Sequence, residues 1–491
     1  MSLPPRQANF HCDMDGLTLL ALAYLALPNL IFIFGWFRLP VAFILACVLF
    51  YLFLGAIGKR SISWRLECNA AGAAAVLVTA FTWAAFGGGS HFMYANHDWI
   101  VRDAVLGDLT NAEWPVIYQS LDGTDLILRS AIGYFLPPAL LGKLFGTDFL
   151  GITVYLWTVA GVLLFLALLP LPGRLGWPLL LGLVVTVLFS GMDFLGLIIA
   201  TGSMPIFPLR LEWWVPLSYP SLTGQLLWAP NHCLPLWIST LLVLRHRDGD
   251  DLPRIACVML PLTLIWTPFA AVGLLPFIFM GARKVFGRLG WKAIQWRLVA
   301  ACVFVSLPIS LLLLTDIGGI AAETAAQVQP SAAVNTSAQA FSIREYLIFI
   351  CCEFLLLALA LTTHVRQARD FFVTAIAMLL VLPLIHFGPS NDLLLRLSTP
   401  PLIVLLAACL QALLSKNRPL RSATLWLVWI FLAIGAHTAF NELWRSATFQ
   451  RWKPDYRQTL ADRQGGQAAP HYAGRPNAPF LKQLLRSSRD H

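Results

Sequence analysis

Between His97 and Asp103 the chain places an imidazole, two carboxylates (Asp98, Asp103) and the guanidinium of Arg102, although only 12% of its residues are charged. From Trp99 onward the pattern WIVRDAVLGDL has helical spacing, so Asp98 falls at the N-terminal end of a predicted helix. Unpaired backbone N–H groups there stabilise a carboxylate, or are capped by it. Held in a cleft, the same carboxylate can take a proton from a hydroxyl.

Two further clusters have the right types for recognition. The stretch 210–233, RLEWWVPLSYPSLTGQLLWAPNHC, combines aromatics with Glu212, Tyr219, Gln225, Asn231 and His232, and Pro230 predicts a helix start. Aromatics at a membrane boundary anchor the headgroup region. Beside amide and imidazole donors they also suit a sugar ring or a lipid-linked substrate. The stretch Gly388-Pro389-Ser390-Asn391-Asp392, followed by Arg396, sets a carboxylate and a guanidinium four residues apart. That spacing gives a helical ion pair, and arginine is the natural partner of a phosphate at headgroup level. The small-residue segment 316–346 reads as a linker, with a substrate lid as the alternative. Asp193 and Glu353 fall inside apolar runs, where acids are costly and functional by default. Asp193 is expected near the outer end of its run, and Glu353 deeper, paired with a basic group on a neighbour. No metal-ligand spacing, Walker loop, dinucleotide fingerprint or GxSxG elbow occurs. The nine cysteines form no CxxC pair and read as small apolar residues.

The elements that must position these groups are membrane helices. The chain is 58% hydrophobic, with mean hydropathy +0.71, and its apolar runs are each long enough to cross roughly 30 Å of hydrocarbon. The fold class is all-α and polytopic, with 12–14 membrane segments. Spans are predicted at 17–37, 40–57, 67–87, 131–146, 149–171, 177–199, 229–244, 255–280, 298–315, 344–363, 371–387, 397–414 and 423–440. Two are irregular: 131–146 is short and carries Pro137-Pro138, and 255–280 is predicted to break near Thr267-Pro268. Arginines and lysines near 59–65, 245–254, 283–297, 366–369 and 416–421 assign those loops to the inside. That leaves 88–130, 200–228, 316–343 and 388–396 outside. The division is then N-terminal helices over 1–66, a transmembrane core over 67–440 and a short polar tail over 441–491, which parity also puts outside. The charge of +9 resides in topology-setting loops and points to membrane lipids as partners, not to nucleic acid.

The pieces NHDWIVRDAVLGDLTNAEWPV (96–116), YFLPPALLGK (134–143), LLWAPNH (226–232), WTPFAAVGLLPF (266–277) and SNDLLLRLSTPPL (390–402) occur in this order. The chain thereby resembles the GT-C-type membrane glycosyltransferases, in particular bacterial members without an assigned substrate. The resemblance implies a GT-C-like core with a large first external loop, in the bacterial cytoplasmic membrane, with its active site facing the periplasm or exterior. It implies an inverting enzyme that moves a sugar from a polyprenyl-phosphate carrier to a glycan, lipid or protein acceptor. In such enzymes an acid of the first external loop activates the acceptor or helps to bind a metal. Asp98 matches that position and Asp103 is the second candidate. The implied substrate-binding residues are His97, Arg102, His232, Asn391, Asp392 and Arg396, the last three near the donor phosphate. A divalent cation, Mg or Mn, is left open, and no other cofactor is implied. The competing class is a transporter or flippase for a lipid-linked or small polar substrate, in which broken helices and Glu353 would carry the function.

Overall fold

The computed structural model describes residues 14–58, 62–63, 68–119, 123, 125–205, 210–315, 341–365, 368–387, 391–415, 423–463, 472–476 and 479–486. The segments 316–340 and 388–390 lie outside these. Among the described residues, seven helices are long and apolar enough to cross a membrane. The chain is thus a mostly helical, multi-pass protein, with shorter apolar helices filling the spaces between the long ones.

The first half comprises α1 (Gly16–Trp36), α2 (Leu39–Ile57), α3 (Ala70–Ala85), α4 (Asp98–Asn111), α5 (Leu136–Phe145), α6 (Leu150–Leu168), α7 (Trp177–Val187), α8 (Asp193–Thr201) and α9 (Leu222–Trp228). The second half comprises α10 (Pro230–His246), α11 (Leu252–Leu264), α12 (Pro268–Leu289), α13 (Trp296–Leu313), α14 (Ile343–Ile350), α15 (Leu356–Leu361), α16 (Arg369–Val381), α17 (Asp392–Leu397), α18 (Thr399–Leu414) and α19 (Ala423–Thr448). Helix α1 shows why these runs become helices. Asp15 caps it by accepting from Thr18 N at 2.7 Å, and its 21 residues rise about 31 Å. Asn29, buried in its middle, donates to Leu262 O at 2.7 Å and ties it to α11. Helix α2 turns Phe43 and Phe50 outward, as lipid contact requires.

Helix α1 also fixes the two ends of the domain. At its start Asp15 pairs with Arg245 at the end of α10. Nearby, Lys284 bridges Asp248 and Asp370 at 3.0 and 2.9 Å, and Arg288 bonds Asp250 at 2.7 Å. The basic loops 245–254 and 283–297 therefore share one end. At the other end of α1, Arg38 N donates to Leu484 O at 2.9 Å and Trp36 reaches Leu128 O. The first large loop and the C-terminal tail meet there.

Three expected features take a different form. The run 255–280 breaks near Thr267-Pro268 as expected, but its halves do not continue in one direction. It reverses at 265–267, because Thr267 is extended and Pro268 opens α12 at its first turn. Helices α11 and α12 then return antiparallel, which is why the Asp248–Asp250 loop at one end meets Lys284 and Arg288 at the other. The run 177–199 is likewise interrupted: α7 ends at Val187, α8 begins at Asp193, and the backbone between them is not helical. The regions expected as external loops hold structure of their own, including α4 and strands β3 (Ile117–Gln119) and β4 (Asp125–Leu128), α9, and α17. Strands β1 (Met14–Asp15) and β2 (Ile62–Ser63) make only a two-residue parallel contact.

The tail forms a cap. Strand β5 (Ala473–Gly474) pairs antiparallel with β4, Leu128 opposite Ala473, and completes a three-stranded sheet with β3. Leu460 N and Tyr118 Oη both donate to Asp108 Oδ2, at 2.9 and 2.6 Å. Asn111 donates to Tyr456 O at 2.8 Å, and Trp452 to Ala95 O at 2.9 Å. Loop and tail thus close over α4 together.

Candidate functional site

Helix α4 is pinned at its start by Trp99. That ring is fully buried and its indole N–H donates to Leu227 O at 3.0 Å, fastening α4 to α9. Two residues of the HDW motif are thereby left at the surface. His97 occupies the cap position in helical conformation without making a cap hydrogen bond. Asp98 is the first helical residue; its side chain is 59% exposed, accepts from Asn96 Nδ2 at 3.2 Å and approaches Arg102 at 3.6 Å. A base that takes protons from an incoming acceptor must be reachable, and Asp98 is.

Arg102, one turn on, lies over the Trp99 ring at 5.6 Å and is only 13% exposed. Its Nη1 is buried without a hydrogen-bond partner. Arg396 arrives from α17, also largely buried at 15% exposure, with Asp392 at 3.6 Å. The two guanidiniums feel each other's charge, and Arg396 feels that of Asp98 as well. His232, on the first turn of α10, lies in the field of both arginines, and its Nδ1 is buried without a partner. The Pro230 start of α10, after the break at Ala229, aims this ring. Asp98, Arg102, His232, Asp392 and Arg396 therefore lie within electrostatic reach of one another, although α4, α10 and α17 are far apart in the chain.

The remaining candidates occupy other places. Asn391 is buried in a left-handed conformation, φ 50°, and its side chain accepts from Phe387 N at 3.3 Å. That contact shapes the turn into α17. Asp103 is buried: it is 2% exposed, stands 2.9 Å from His91 Nε2, and lies in the field of Arg102 from below the helix surface that carries Asp98. Burial raises its carboxyl above the usual range, and His91 only partly offsets this. Within 210–233, Tyr219 donates to Leu379 O, Gln225 accepts from Trp237 and Thr399, and Glu212 accepts from Ser221. These three hold helices together.

Two residues of this site were missed by the sequence reading. Tyr472, on the tail just before β5, lies in the fields of Arg102, Asp98, Asp392 and Arg396. Nothing local marks it; it arrives through the β4–β5 pairing. Tyr134, in the field of Arg102, bonds Thr158 at 2.6 Å beneath the arginine. A tyrosine before a Phe-Leu-Pro-Pro helix start was the available signal.

Among the described residues, no group of three or more His, Cys, Asp or Glu is arranged to hold a metal ion. The carboxylates at the mouth, Asp98 and Asp392, each face an arginine. Their arrangement does not form a divalent-cation ligand set, and no step is routed through one below. What the geometry can do is hold an anion. Two converging guanidiniums without tight carboxylate partners repel each other until a negative group lies between them. No family model, curated protein sequence or solved structure matches the chain.

Proposed function

We propose that the protein is a membrane glycosyltransferase that takes a sugar from a polyprenyl-phosphate carrier and passes it to a hydroxyl of a glycan, lipid or protein acceptor. The observation that supports this most is the meeting of Arg102 and Arg396 at the mouth of the helical domain, with Arg102 Nη1 and His232 Nδ1 left unsatisfied. A buried polar atom without a partner calls for one, and an anionic ligand between the two arginines would supply it here. The basic loops gather at the opposite end of α1, which by the positive-inside rule supports an outer-face position for this site.

In the reaction so read, Arg396 and Arg102 hold the carrier phosphate and take up the charge it gains as leaving group. Asp98 accepts the proton of the attacking hydroxyl, and His97 and His232 orient donor and acceptor. Phosphate is already a stable leaving group, so positioning and electrostatics suffice without a protein nucleophile.

The test is a transfer assay on full-length protein in nanodiscs, with a panel of polyprenyl-phosphate sugars and a cell-envelope acceptor fraction. Wild type should turn over, and Asp98→Asn should bind donor yet lose at least about 100-fold in rate, the usual scale of general-base catalysis. Absence of both turnover and donor binding in wild type would defeat the reading. A transporter reading would then lead, because the α7–α8 break and the buried Asp193 and Glu353 are features that ion-coupled carriers use.

A further inference from the structure

The break between α7 and α8 brings two intramembrane acids together. Asp193 opens α8 and is 1% exposed; Glu353 is 3% exposed and lies in a π-turn (Cys351–Leu355) between α14 and α15. Their side chains are in hydrogen-bond contact. The expectation of a basic partner for Glu353 fails, because its neighbour is another carboxyl. Gly191 makes the contact possible: a Cβ there would stand 2.1 Å from Glu353 Oε2. Met192 N also donates to Cys352 O at 3.0 Å, which locks the broken backbone to the π-turn.

Two carboxylates are acceptors only, so this contact has no donor as it stands. Asp193 Oδ1 and Glu353 Oε2 are both buried without a partner. Thr438, fully buried on α19, brings its hydroxyl toward Asp193 without completing a hydrogen bond. Glu353 also borders a small cavity of about 10 Å³, lined in part by Ser190, Gly191 and Tyr219, a space at the lower limit for a single water.

The surroundings sharpen the need for positive charge. Glu212 lies in the fields of Asp193 and Glu442, and Glu442 is joined to Arg445 at 2.6 Å and to the Trp228 indole at 2.6 Å. Cys352 and Tyr219 also face the pair, and the Trp214 indole reaches Glu353 Oε1 at 3.4 Å. Four acids thus gather here, of which only Glu442 has an ion pair among the described residues. Like charges so close and so dry cannot all ionise.

We propose that Asp193 and Glu353 form a proton-binding site in the membrane interior, the two carboxyls sharing one exchangeable proton. The proton supplies the missing donor and joins α8 to the π-turn. Its loss would set two anions against each other across that joint, so occupancy controls whether the broken helix stays docked. The proposal is independent of what the outer mouth transfers.

Infrared difference spectroscopy on the full chain in nanodiscs tests this. Wild type should show a protonated-carboxyl band at neutral pH that disappears on alkalinisation and is indifferent to sodium. Glu353→Gln should remove it, and Asp193→Asn should shift its loss to lower pH, because an amide donor favours the ionised partner. A band unchanged in both variants, or one abolished by sodium at constant pH, would overturn the proposal. Should neither variant fold, mass mapping of wild type after treatment with a hydrophobic carbodiimide decides. An adduct on Asp193 or Glu353 at pH 7 supports the shared proton, and unmodified peptides refute it.

Discussion

Neutralising the two arginines of the mouth should separate the roles of charge repulsion and ligand binding. Arg102→Gln and Arg396→Gln each remove one guanidinium from a pair that is 13% and 15% exposed and therefore poorly screened. Without ligand, either change relieves repulsion, and Arg102→Gln also removes a buried, unsatisfied Nη1. Neither variant should melt below wild type. With ligand the sign reverses. A hydrogen bond to a charged group contributes about 1.5–3 kcal/mol, so losing one near 2 kcal/mol weakens binding about 30-fold. At polyprenyl phosphate equal to 100 times the wild-type Kd, the ligand stabilises wild type by about 2.7 kcal/mol and such a variant by about 0.9. If both arginines hold one phosphate, the double variant should show a coupling of more than about 0.5 kcal/mol. Thermal unfolding in detergent, with and without polyprenyl phosphate, reads all of this. Equal ligand-induced shifts in wild type and both single variants would show that the arginines do not meet the phosphate.

Three further outcomes follow from the same structure. Burial pushes the Asp15 carboxyl up, but Arg245 and the Thr18 N–H outweigh it and hold the group below 3.8. Its contribution is therefore present above that value and is lost as pH falls through the lower folded one; Asp15→Ala should cost about 1 kcal/mol at pH 7, the scale of a helix cap, and flatten the acid limb of the stability curve. Asp103 has the opposite sign: its folded value lies above 3.8 because it is buried, so stability declines as pH rises through that value, and Asp103→Asn should show a shallower decline in the same unfolding series. A Cβ on Gly107 would stand 2.5 Å from Tyr456 O; Gly107→Ala should loosen the tail, costing about 1–3 kcal/mol and hastening its release in limited proteolysis.

The helical, multi-pass class was legible because apolar runs are a summed property that no single contact can reverse. The broken run at Thr267-Pro268 was legible too, since proline removes a donor wherever it falls. What could not be read was direction after the break: the same Pro268 permits a kink or a reversal, and only the salt links from Asp248 and Asp250 to Lys284 and Arg288 decide for reversal. The break at 188–192 carries no proline; its one local signal is Ser190-Gly191 inside an otherwise apolar run. Its cause is tertiary. Leu222 N takes Phe189 O, Met192 N takes Cys352 O, and Gly435 of α19 lies against the carbonyls of Ser190 and Gly191.

Site residues divide along the same line. Asp98, Arg102, His232 and Arg396 stood out because charged or polar side chains at the ends of apolar runs are few, and their convergence is what such scarcity leads one to expect. Asp103 and Asn391 stood out for the same reason, yet Asn391 shapes the turn into α17 and Asp103, five residues beyond Asp98, faces about 140° away around the helix. Sequence spacing alone could have ranked Asp98 and Asp103 by this rotation only with knowledge of which face Trp99 buries. That face is set by Leu227 O at the end of α9, so the placement of the candidate base depends on a contact formed between two loops that the sequence leaves unconnected.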